Sequence, residues 1–216
     1  IKGLYWRKPS SFNKSSIRWI NILLSHDELR NNTLDALVAI ATKPSHPLNA
    51  KRLDACLRKM DMAKRDLAWG EFVRKQYESN AIYRILEWLE AFDITHLREE
   101  HATVYVIVLS WLLTSVNRVL RDRATRGLYT IGLKHPSVLF STTIRSLGIN
   151  DPYVPERMLA ASYGVAMGLH YHSDIRNFTS PQLNPFARRL LKDMFVEGAP
   201  FGTTHVRMRD YAKGII

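Results

Sequence analysis

One short pattern returns three times along this chain: Arg121-x-x-Ala124, Arg157-x-x-Ala160 and Arg209-x-x-Ala212. Each copy falls in a segment whose apolar residues recur at helical spacing. Units that repeat in this way bury one face against the next unit and pile up side by side, so the pattern constrains the fold more than any other feature.

The intervals refine the expectation. Ala124 and Ala160 lie 36 residues apart, and Ala160 and Ala212 lie 52 apart. Paired-helix repeats of the HEAT and armadillo type run at about 40–47 residues, a range that the two intervals bracket. The expected fold is all-α, an irregular α-solenoid of antiparallel helix pairs.

Local signals agree. Period-two alternation is rare, and no Asn-Gly or Asp-Gly hairpin turn occurs. Ser15 or Ser16 is placed to cap a first helix holding Ile17, Ile20 and Leu24, and a second is expected over 27–41. Asn49 and Asn80 are further caps, the second opening a helix over 81–92. Helices are then expected over 96–115, 118–134, 137–147, 152–171, 185–197 and 204–216. Asp151-Pro152 and Asn184-Pro185 pair a cap residue with proline at the first helical position, and Gly148 and Gly198 stand where helices should stop. A soft boundary near 60–66 divides the chain into unassigned N-terminal helices, 1–60, and HEAT-like repeats, 61–216. Beginning at Ile1 and stopping inside an apolar pattern, the sequence reads as a piece of a longer polypeptide.

Composition bounds the class. The apolar run from Ala102 to Val116 is too short for a membrane span and predicts a buried core helix. A single cysteine, Cys56, excludes an internal disulfide and fits a reducing cytoplasm. Its helical context predicts a buried small hydrophobe rather than a nucleophile. The five tryptophans are spread along the chain, as packing residues would be. A net charge of +11 favours an acidic partner, which includes nucleic acid.

Part of that charge lies on one helix. At about 100° per residue, Leu120, Ala124, Leu128 and Ile131 form an apolar stripe after Asn117, while Arg118, Arg121, Arg123 and Arg126 fill the rest with Asp122 among them. This broad basic face is the candidate partner-binding surface. The alternative is a solvated face with an arginine bonded to an acidic residue of the next unit, such as Asp151. Asp151, Tyr153, Glu156 and Arg157 are the candidate contacts between repeats. Downstream, Ala160, Gly164 and Gly168 form a stripe of small residues that would let a neighbouring helix come close.

Chemistry is sparse. No phosphate loop, G-x-S-x-G elbow or H-E-x-x-H is present. His96 and His101 point about 140° apart on a helix and cannot share a metal, so Thr95 is read as a helix cap instead. His170, His172 and Asp174 form a weak metal candidate, and the only place to look for an enzyme. Ser11-x-x-Lys14 lacks the companion elements of a serine acylase. No catalytic residue, metal or cofactor is assigned.

Several runs together bear a family likeness. Asn117-Arg-Val-Leu-Arg-Asp-Arg-Ala-Thr-Arg-Gly-Leu128, His135-Pro136 and the segment from Asn150 to Gly164 resemble the helical-repeat region of large bacterial STAND NTPases, including antiviral STAND and NACHT-type proteins. Lys64-Arg-Asp-Leu-Ala-Trp69 and Arg207-Met-Arg-Asp-Tyr-Ala212 are similar to further signatures of that region. The resemblance spans roughly residues 60–216. It implies a sensor solenoid that follows an effector and an ATPase, binds a phage protein and releases the ATPase to oligomerise. It assigns no ATP site to these residues and carries over no target contact. The rival expectations are a basic helical-repeat module that binds nucleic acid and a fragment of a metal-dependent enzyme.

Overall fold

The computed structural model describes residues 1, 3–77, 79–172 and 181–216, without the side chains of 170–172. The described residues form an all-α packed helical bundle with no strand. The helices are α1 (Gly3–Trp6), α2 (Lys14–Ser25), α3 (Asp27–Ala41), α4 (Ala50–Leu57), α5 (Met62–Arg65), α6 (Glu71–Arg74), α7 (Ala81–Ala91), α8 (Glu99–Leu112), α9 (Arg118–Lys134), α10 (Pro136–Ser146), α11 (Tyr153–His172), α12 (Leu183–Met194) and α13 (Val206–Ile215). Short 3-10 turns cover Pro9–Ser11 and Ile94–His96, and a π-helical turn over Asp66–Gly70 joins α5 to α6.

The apolar run that fills most of α8 lies at the centre. Val106, Val108, Leu109, Trp111 and Leu112 are fully buried, and α8 packs on α3, α4, α9 and α10. Each such side chain contributes about 1.5–3 kcal/mol of burial. No helix among the described residues is long and apolar enough to cross a membrane.

Beyond α8 the contacts alternate. α8 packs on α9, α10 on α11, and α12 on α13. Sideways, α10 touches α8 and α12, while α11 packs extensively on α9 and on α13. The main core runs from Val38 to Ile215, and a smaller cluster of Leu4, Ile20, Ala36, Ile40 and Leu48 sits under α1–α3.

The small-residue stripe has a packing role. A Cβ on Gly164 would stand 3.2 Å from the Tyr129 ring, and one on Gly168 3.1 Å from Leu133 Cδ2, so two α9 side chains four apart settle on two α11 glycines four apart.

Several local expectations are corrected. Asn13, not Ser15 or Ser16, caps α2: its Oδ1 accepts from the Ser16 backbone, while Ser16 Oγ accepts from the Asn13 backbone. Asn80 precedes α7 without capping it; the Ala81 N–H donates instead to Asp35 Oδ1 of α3 at 2.7 Å. Thr95 lies in the 3-10 turn, where Asp93 caps, and α8 starts later, after Arg98. α12 begins at Leu183, ahead of Asn184-Pro185. Gly198 has φ of +72° but lies beyond the end of α12, and Gly148 does not take a positive φ. Cys56 is exposed, because α4 turns Ala50, Asp54 and Leu57 inward. Of the tryptophans, Trp69 and Trp111 are core, whereas Trp6 and Trp19 face solvent, 87% and 66% exposed.

Candidate recognition surface

The three Arg-x-x-Ala helices share one way of starting. At the start of each stands an oxygen-bearing side chain that accepts the backbone N–H two residues on, at the residue just before α9 and α13 and at the first residue of α11. Ser115 Oγ does this for Asn117, Asp151 Oδ1 for Tyr153 and Thr203 Oγ1 for His205, each at 3.1 Å. Four residues further on comes the arginine. Arg121 reaches back to the Ser115 carbonyl at 2.5 Å, and Arg209 to the Thr203 carbonyl at 3.2 Å. Both guanidiniums cover an aromatic ring: Arg121 lies 5.0 Å from the Tyr153 ring centroid, and Arg209 4.9 Å from that of Phe195. The alanine three residues on is fully buried at Ala124 and Ala212 and half-buried at Ala160. The short sequence pattern thus marks a longer unit of hydroxyl or carboxylate, two-residue step, arginine and alanine.

Arg157 departs from its counterparts by donating across to Asp122 Oδ1 of α9 at 2.8 Å. Glu156 is buried and joins α11 to α13, with His205 Nε2 at 3.4 Å and Arg207 Nη1 at 3.3 Å. Asp151 is buried beside Arg65, whose Nη2 lies 3.6 Å away, and burial raises its carboxyl above the ordinary range. The Arg65 guanidinium also donates to Asn150 and lies near Trp111. Tyr153 is half-exposed under Arg121.

The basic face of α9 is smaller than helical geometry alone predicts. Arg123 forms a two-pronged pair with Glu90 of α7, both bonds 2.9 Å, and holds that carboxyl below its ordinary range. Arg121 is folded inward, as above. Arg118 projects freely, its side chain 84% exposed, with a loose 3.5 Å contact to Asp122. Arg126 is exposed beside a cleft of about 520 Å³ between α7 and α9, lined by Glu90, Asp93, Arg123 and Thr130 among others. Two of the candidate arginines are therefore accessible cations and two are structural.

A buried polar network crosses the core where helical patterning suggested none. Asp54 Oδ1 accepts from Trp111 Nε1 at 3.0 Å and from Arg58 Nε at 2.9 Å, while Oδ2 accepts from Arg145 Nη2 at 2.6 Å. Trp69 Nε1 donates in turn to the Trp111 carbonyl at 2.9 Å. This network clamps α4, α8, α10 and the π-helical turn together. The signal for it lay in the α4 stripe, where an aspartate takes the middle place between Ala50 and Leu57.

No cluster of metal-ligating side chains occurs among the described residues. The His170, His172 and Asp174 candidate lies outside the described side chains. The chain matches no family model, no curated protein and no solved structure.

Proposed function

We propose that this chain is a non-catalytic recognition scaffold, an irregular α-solenoid segment serving as sensor module of a bacterial STAND-type NTPase in antiviral defence, with a protein as its partner. One observation carries the proposal. α9, α11 and α13 start with the same two-residue step, and α11 packs between the other two. Stacked units of that kind present one continuous side to a macromolecular partner. Arg118 and Arg126 are the contact residues on it, since Arg121 and Arg123 are already engaged. Partner binding acts by population shift, favouring the assembly-competent state of the parent protein in proportion to its differential affinity.

The test uses bacteria carrying the complete gene, challenged with phage. The Arg118→Glu/Arg126→Glu double variant, with helix content and unfolding midpoint unchanged, is expected to lose protection. Full protection by that variant refutes the assignment of the contact residues. A complete polypeptide without a nucleotide-binding segment refutes the family role. The net charge of +11 favours nucleic acid as a second reading. It requires duplex or single-strand binding whose affinity falls steeply with salt.

A further inference from the structure

Between α2, α3 and α4 apolar side chains line a continuous trough. Ile17, Ile20 and Leu24 follow one another along α2, facing Leu34 and Leu37 of α3 and Leu57 of α4 across a trough of about 120 Å³. Past Met60 the trough opens into a recess of about 450 Å³ over Leu67 and Trp69, with Leu24, Leu34, Leu57 and Met60 shared between the two. The gap has a structural origin. α2 packs mainly on α3 and makes no substantial contact with α4 or α5. Exposed apolar surface continues from the groove at Leu67, 72% exposed.

The charged side chains that line the groove are cations, two of the three paired with carboxylates beside it. Arg30, Arg52 and Lys64 line it, and no carboxylate does. Asp27 holds Arg30 at 2.6 Å and Asp61 holds Lys64 at 3.0 Å, so both cations are positioned. Arg52 is exposed and has no ion pair among the described residues.

We propose that this groove docks an amphipathic helix of another polypeptide, with apolar anchors at i, i+4 and i+7 and acidic residues along its flanks. The row of apolar side chains along α2 and α3 offers seats for such anchors, and Arg52, without an ion pair among the described residues, selects acidic flanks by charge complementarity. A second copy of this chain fits poorly, because its own amphipathic α2 carries Lys14 and Arg18 and the chain has a net charge of +11. The groove lies on α2–α5, and its occupation does not depend on the α9 arginines.

Cys56 supplies the readout, being the single cysteine, exposed, and part of the groove lining. The full chain is titrated with a designed helical peptide bearing Leu anchors and Glu flanks, and with a sister peptide bearing Lys flanks. Binding is followed by fluorescence polarisation, and occupancy by the rate at which a small thiol reagent modifies Cys56. The Glu peptide is expected to bind at least about tenfold more tightly than the Lys peptide and to slow Cys56 modification to a similar degree. Arg52→Glu, at an exposed site, is expected to weaken the Glu peptide and strengthen the Lys peptide, each by about fivefold. Equal affinity for the two peptides, binding that leaves Cys56 unprotected, or no binding of either overturns the proposal. So does protection of Cys56 that rises with protein concentration alone, which would identify a second copy as the occupant.

Discussion

Replacing Asp54 with alanine tests the buried network and gives a calculable cost. Asp54 is 5% exposed and receives three donors. Its removal leaves the fully buried Trp111 indole N–H without an acceptor, at about 1–3 kcal/mol. The two arginines matter less, because their side chains are 27% and 54% exposed and can turn to water, which puts each pair at about 0–1 kcal/mol. The expected loss for Asp54→Ala is therefore about 2–4 kcal/mol. Asp54→Asn keeps one oxygen for Trp111 and should cost less, about 1–2 kcal/mol, from a new N–H facing Arg145. Urea unfolding followed by circular dichroism measures both. Trp111→Phe in the Asp54→Ala background closes a double-mutant cycle with an expected coupling of about 1–2 kcal/mol. A loss under about 1 kcal/mol for Asp54→Ala, or a coupling indistinguishable from zero, would refute the claim that this carboxylate satisfies the buried indole.

Two further predictions concern the helix layers. Gly132→Ala should destabilise by about 1–2 kcal/mol, the overpacking cost exceeding the roughly 1 kcal/mol gain in helix propensity. The new Cβ would stand 2.5 Å from Leu139 Cδ2 and 2.8 Å from Val165 Cγ2, both on buried residues of neighbouring helices; a more stable variant in urea unfolding would contradict the close approach. Glu90→Gln should lower stability at neutral pH but not in acid. The Glu90 carboxyl is held below its ordinary value of 4.5 by Arg123, so its contribution is fully present above that pH and is lost as pH falls through the lowered folded value; a difference between variant and parent that persists unchanged in acid would count against it.

Much of the fold was legible because the helices obey local rules. α3 and α9 run over the residues that apolar spacing predicts, and Asn49 caps α4 as expected. The failures arose where a distant residue took over a local task. Asp35 of α3 caps α7 in place of Asn80, and helical spacing carries no trace of that. Cys56 is exposed because Asp54, two residues earlier, is turned inward by donors from α8 and α10. The α9 arginines illustrate the same limit. A helical wheel groups them on one face, but only packing reveals that Glu90 and the Ser115 carbonyl have claimed two of them. The Arg-x-x-Ala recurrence was visible throughout, whereas its extension to Ser115, Asp151 and Thr203 needed the backbone, since hydroxyl and carboxylate side chains share only an acceptor oxygen.

The proposed recognition surface depends on the order α9, α11, α13, with α11 in the middle. The most direct measurement is an electron-spin distance between labels at two exposed, equivalent positions, Arg118 of α9 and Val206 of α13, in a Cys56→Ser background. Packed helices lie about 8–10 Å apart, so an intervening helix places the labelled backbones about 20 Å apart in a single narrow distribution. A separation near one interhelical spacing, with α9 and α13 as direct neighbours, would contradict it.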